Sequence, residues 1–308
     1  MDIKSTGSRK KLRSKLSIYN DVVVGHVFAA PFILGFVCFS LIPIWMSLFY
    51  SFTDYSLGKK EAIFVGLKNF AMLYNDEIFA KSIYITLKYV LISVPLKLIF
   101  ALFVAVILTR KSRMVAIYRS VYYLPSLIGG SVAVALVWRQ LFARKGLFNV
   151  ILEGIGMDRI NWFGDEKMAL YPLIFMAIWQ FGSSMIIFAA GLKEIPMTYY
   201  QAAAIEGANG AKKFFYITLP YLSPIILYNL VMQTISAFLT FTQVFVITGG
   251  GPNNGTMLYA LNVYNQAFKY DKMGYACAMS WVMLILMTLI TLVIFKSSRF
   301  WVIDDSEA

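Results

Sequence analysis

Six runs of apolar residues, each about as long as a membrane is thick, constrain this chain more than any other feature. They cover residues 26–49, 83–108, 121–141, 169–192, 224–248 and 274–295. A helix rising 1.5 Å per residue needs roughly 20 residues to cross about 30 Å of hydrocarbon. In lipid, every backbone N–H and C=O must find a partner within the protein, which leaves helices or a closed barrel. Barrel strands are alternating segments of about 10 residues, whereas these runs are longer and apolar on nearly every face. The expected fold is an all-α, polytopic bundle of six transmembrane helices, forming a single domain over residues 1–308.

Composition agrees with that reading. Apolar residues make up 59% of the chain and charged residues 14%, against about 25% charge in a soluble domain. The net charge of +12 would suit nucleic acid only if the cations formed one concentrated face; here they sit at the ends of apolar runs, and no nucleic acid is expected. Basic residues collect in the first tail (Lys4, Arg9, Lys10, Lys11, Arg13, Lys15), after the second run (Arg110, Lys111, Arg113, Arg119), after the fourth (Lys193, Lys212, Lys213) and after the sixth (Lys296, Arg299). With six spans all four segments fall on one side, and the positive-inside rule makes that side cytoplasmic. Residues 1–25 and 296–308 then read as cytoplasmic tails and 193–220 as a cytoplasmic loop. The opposite side mixes Asp54, Glu61, Asp76 and Glu77 with Lys59, Lys60, Lys68 and Lys81. The first apolar run is far longer than the apolar core of a signal peptide, about 7–15 residues, and has no small-residue cleavage site, so it reads as an uncleaved span. Cys38 and Cys277 lie in apolar stretches, with His26 as the sole histidine; no metal site or disulfide framework follows.

The segment Glu194-Ile195-Pro196-Met197-Thr198-Tyr199-Tyr200-Gln201-Ala202-Ala203-Ala204-Ile205-Glu206-Gly207-Ala208 is unlike an ordinary loop. Pro196 suits a helix start, the alanines favour helix, and Gly207 can end it in a left-handed conformation. Phe214-Phe215-Tyr216-Ile217-Thr218-Leu219-Pro220 then leads into the fifth run. On physics alone two readings stand equal: a helix that lodges in a partner's groove, and an amphipathic helix resting on lipid headgroups.

The pattern carried by Gln201, Ala202, Ala203, Glu206, Gly207, Ala208, Phe214, Ile217, Leu219 and Pro220 resembles the EAA loop of importer permeases of the ATP-binding-cassette superfamily. Arg119-Ser120-Val121-Tyr122-Tyr123-Leu124-Pro125, Trp138-Arg139-Gln140-Leu141-Phe142, Gly146-Leu147-Phe148-Asn149 and Thr248-Gly249-Gly250-Gly251-Pro252 are similar to its carbohydrate branch, the relatives of the larger maltose-importer permease. The resemblance implies a multi-pass subunit of a bacterial plasma membrane, with both termini inside. Its Gln201–Ala208 helix would couple to one of two cytoplasmic ATPase subunits, which bind ATP and magnesium; this chain itself binds no cofactor. A second homologous permease, an extracytoplasmic solute-binding protein and a sugar or oligosaccharide complete the implied assembly. Gln201 stands where the family has Glu, exchanging a charge-assisted bond for a weaker neutral one; Glu206 stands where it has Asp and keeps the charge.

A path for substrate needs polar groups inside the bundle. Asn229, Gln233, Ser236, Thr240 and Gln243 recur at spacings that place them within an arc of about 80° on one helix face. Gln180 and Ser183 of the fourth run, with Trp179 and Trp281 as surfaces on which sugar rings could stack, complete the candidate path. Such a stripe can equally be interhelical glue. Lys97 lies near the middle of the second run, where a charge costs about 2.5–3.5 kcal/mol on insertion scales. It could attract an anion, although a packing or assembly role is favoured.

Other functions fit less well. No G-x-x-x-x-G-K-[ST] phosphate loop is present, so the chain does not hydrolyse ATP by that route and reads as a permease, not an enzyme. An ion-coupled secondary carrier usually shows acids inside its spans; none is well inside one here. Within the importer class, acidic glycans and glycerol phosphates remain open beside neutral sugars.

Overall fold

The computed structural model describes residues 23–58, 61–109 and 114–303. The expectations for residues 1–22, including the basic cluster Lys4–Lys15, and for Lys59, Lys60, Arg110, Lys111, Arg113 and the end of the last tail at 304–308 lie outside these residues.

Among the described residues, α-helix dominates and only an isolated antiparallel bridge, Thr53 to Phe64, represents β-structure. Helix α1 (Val23–Ser51) is long and apolar, its side chains exposed or half-buried in the isolated chain up to Tyr50; a π-helical turn interrupts it at Val37–Leu41. A short helix α2 (Lys68–Tyr74) precedes α3 (Glu77–Ile107), the longest element. Asp76 starts α3 by accepting the N–H groups of Ile78 and Phe79 on one carboxylate oxygen, satisfying two of the orphan donors at a helix start. Its other oxygen accepts the Tyr275 hydroxyl at 2.6 Å, which ties the second span to the last.

Helices α4 (Val115–Ile128) and α5 (Val132–Leu141) correspond to the third apolar run, yet they meet at a bend of 99°. After α6 (Leu147–Gly154), the fourth run divides into α7 (Leu170–Trp179) and α8 (Gly182–Glu194). Helix α9 (Met197–Ile205) and the short α10 (Gly210–Lys213) form the intervening loop. The fifth run divides into α11 (Ser223–Phe238) and α12 (Thr242–Ile247). Helix α13 (Tyr259–Tyr264) and the final span α14 (Met273–Ser298) complete the chain.

Five segments are long and apolar enough to cross a membrane; the bent α4–α5 pair brings the number to six if it makes one crossing. The five agree with the expected runs to within several residues. The third differs because hydropathy counts apolar residues and cannot register a turn. At the bend, Gly129 has no side chain, and a Cβ there would run into the Gln180 side chain and the Pro125 carbonyl. Ser131 then restarts the helix by accepting the Val134 N–H.

Helix α3 is the centre of the bundle, packed against α7, α8, α11 and α13. Ala101 and Ala105 are fully buried on it; small side chains at such positions let membrane helices approach closely. Met185, Phe188 and Ala189 of α8 fill the facing layer. Helix α1 packs along α14 at the edge.

Candidate functional site

The breaks in the fourth and fifth runs surround a cavity of about 480 Å3. One wall is a face of α3 on which Tyr89, Ser93 and Lys97 recur every four residues. The second wall is the end of α7, with Leu173, Met176, Ala177 and Gln180. The third comes from α11, α12 and their junction: Gln233, Ser236, Thr240, Phe241 and Gln243. A volume of this size is typical of small-molecule sites, as is a mostly apolar lining with a few converging polar groups.

Local chemistry explains why the helices can break here, inside an apolar bundle. A break exposes backbone groups that lipid cannot solvate. The Ser126 hydroxyl of α4 answers two of them, donating to the Gln180 carbonyl and accepting the Ser183 N–H, each at 3.0 Å. The Gln243 side chain donates to the Gly129 carbonyl at 3.4 Å, so the α4–α5 bend and the α11–α12 break support each other. The Tyr89 phenol interacts with the hydroxyls of Thr240 and Ser93, bringing α3 against the same break.

Of the candidate path residues, Gln180, Gln233, Ser236, Thr240 and Gln243 line the cavity. Asn229 is buried one turn away, where its side-chain N–H donates to the Ile225 carbonyl. Trp179 packs on Trp138, ring centroids 5.5 Å apart, in an aromatic cluster with Phe142 and Phe148. Ser183 meets Ser126 through its backbone. Neither these three nor Trp281 is on the cavity wall. The expected single helical face does not continue from Ser236 to Gln243, because the helix ends at Phe238 and restarts at Thr242. Tyr89 and Ser93 were missed by sequence reasoning, although their four-residue spacing with Lys97 was a usable signal.

The second feature is α9, which has no buried residue. Ile205 at its end is 89% exposed. Gly207 adopts φ +76°, the Gly207 N–H bonds the Ala204 carbonyl at 3.1 Å, and the Ala208 N–H bonds the Ala203 carbonyl at 2.8 Å. This is the paired-bond, glycine-terminated helix end expected from the sequence. Asn209 then caps α10 by accepting the Lys212 N–H. Tyr200 and Thr218 join hydroxyls at 2.8 Å, and Tyr199 packs on Tyr221, so α9 is pinned along its tyrosine side to the segment entering the fifth span. Gln201, Ala202, Glu206 and Gly207 are left exposed; Ala203 and Ala208 are half-buried.

A bundle of apolar helices, interrupted around a cavity with converging amides and hydroxyls and carrying an exposed helix between two spans, defines a membrane permease. The chain belongs to the family described as binding-protein-dependent transport system inner membrane component, which matches residues 70–300. It is 50% identical over 300 residues to the probable ABC transporter permease protein YesP of Bacillus subtilis (strain 168), covering 96% of this chain and 97% of that one. It is 32% identical over 288 residues to the arabinooligosaccharides transport system permease protein AraP of the same organism, covering 91% and 90%. Its fold matches a crystal structure of a bacterial ABC transporter involved in the import of the acidic polysaccharide alginate, with TM-score 0.78, 20% identity and coverage of 93% of this chain and 98% of that one. The family resemblance in the sequence therefore holds: this is an importer permease, a membrane subunit and not an enzyme.

Proposed function

We propose that this permease carries a sugar or oligosaccharide from an external binding protein into the cytoplasm by alternating access. The observation that carries the reading is the mid-bundle cavity. Its amides and hydroxyls at Gln180, Gln233, Ser236, Thr240 and Gln243 are the groups that hydrogen-bond sugar hydroxyls, and Phe241 offers an aromatic face. The named carbohydrate relative supports the same substrate class.

The motor is separate: two cytoplasmic ATPase subunits bind ATP and magnesium, and one of them grips α9 through Gln201, Ala202, Ala203, Glu206, Gly207 and Ala208. A second homologous permease completes the pore. Closure of the ATPase pair pushes the coupling helices and opens the bundle outward; hydrolysis returns it inward. Both termini and the 193–220 loop face the cytoplasm, as the basic residues require.

The test is uptake into vesicles carrying the complete complex and its binding protein. Labelled oligosaccharide should accumulate only with ATP inside the motor compartment and should be insensitive to an uncoupler. Uptake that ignores ATP and collapses with the uncoupler would instead establish an ion-coupled carrier.

A further inference from the structure

Among the described residues, Lys97 is the single charged side chain on the cavity wall. It is half-buried, ten residues or about 15 Å from the C-terminal end of α3. Neither α7, nor α11, nor α12, nor the junctions between them contributes an aspartate or glutamate to the lining. No salt bridge to Lys97 is formed among the described residues, where the ion pairs are Lys81 with Glu166 and Arg159 with Glu153. Along the sequence no acid occurs between Glu77 and Glu153, or between Glu206 and Asp271, so the helices that build the cavity have none to offer within it.

A cation inside a span normally faces a partner or a wet cavity. Here the cavity is present and no acid of the described residues lines it, while the surrounding polar groups are amides and hydroxyls that do not neutralise charge. A ligand bearing a negative charge would supply what the wall lacks. One lysine is a point charge with rotatable donors. Its single positive charge balances a monoanion such as a carboxylate, and would leave half of a phosphate dianion's charge uncompensated in a cavity whose other polar groups are neutral.

We propose that the transported glycan is acidic, a short oligosaccharide containing a uronate unit, and that Lys97 is the residue that selects its carboxylate. Gln233, Gln243 and Gln180 then serve the neutral hydroxyls of the same molecule. The inference rests on the carbohydrate-importer reading above and narrows its substrate class.

The experiment compares uronate di- and trisaccharides with their carboxyl-reduced counterparts, identical in linkage and length, using the complete complex in liposomes and one binding protein throughout. The wild type should take up the uronates at least about tenfold more efficiently. K97M should lose most of that preference, and K97R should keep it. Equal or better uptake of the reduced sugars by the wild type, or an unchanged ratio in K97M, overturns the role of Lys97 and leaves the importer reading intact. The wild-type ratio decides the acidic-glycan assignment even if K97M fails to assemble, and K97R then tests the role of Lys97. ATP-driven uptake of neutral sugars only would likewise sink the acidic-glycan assignment alone, whereas no uptake of any sugar by an assembled complex overturns the carbohydrate reading and this inference with it.

Discussion

Ser126 shows how a single side chain can make a broken membrane helix tolerable. Its hydroxyl is both donor to the Gln180 carbonyl and acceptor from the Ser183 N–H, so one small residue on α4 satisfies two backbone groups freed by the α7–α8 break. Ser126→Ala should leave both groups without that partner, at about 1–3 kcal/mol each. The expected outcome is a lower thermal transition of the purified protein in detergent, with Ser126→Thr, which keeps the hydroxyl, less affected. An unchanged transition in the alanine variant would mean that the two groups find other partners. Lys97 belongs to the same scale: its spacing along α3 was visible in the sequence, but its place on a wall without acids required the neighbouring helices.

Helix α9 illustrates what an element owes to its ends. Its alanines give helix propensity, and its termination depends on a backbone conformation that side chains with a Cβ avoid. At Gly207, with φ +76°, a β-branched residue adds strain on the order of 1–2 kcal/mol. Gly207→Val should therefore distort or extend the exposed end of α9 without disturbing the spans, since a Cβ there meets no neighbour within 4 Å. The measurement is co-purification of the ATPase subunits together with uptake: both should fall while the membrane level of this chain stays constant. Retained binding and transport would remove the α9 terminus from the coupling surface. The Gly129 bend makes the complementary case, because there the glycine is required by a close approach from outside its own helix.

At the scale of the whole molecule, the cavity is a composite of three walls, and its function depends on their joint presence. Gln233 lies on α11 and Gln243 on α12, across the break at 239–241. Gln243 also holds the bend at Gly129, whereas Gln233 has no such structural bond among the described hydrogen bonds. Gln233→Leu should abolish uptake with assembly intact. Gln243→Leu should abolish uptake too and, in addition, lower stability. Transport assays paired with size-exclusion profiles separate the two effects, and normal uptake in both variants would remove these amides from the path.

What the sequence determined by itself was set by solvent. Lipid demands long apolar stretches with internally paired backbone, so five spans were readable to within several residues, and the Pro196–Gly207 surface helix followed from local propensity and a glycine end. The 99° bend, the divided fourth and fifth runs, and the separation of Gln180, Gln233, Ser236, Thr240 and Gln243 from Trp179, Ser183, Asn229 and Trp281 were decided only in three dimensions. The physical reason is that a helix break inside a membrane becomes affordable only where another helix supplies the missing hydrogen bonds, as Ser126 and Gln243 do here, and such a partner is invisible along a single run of residues.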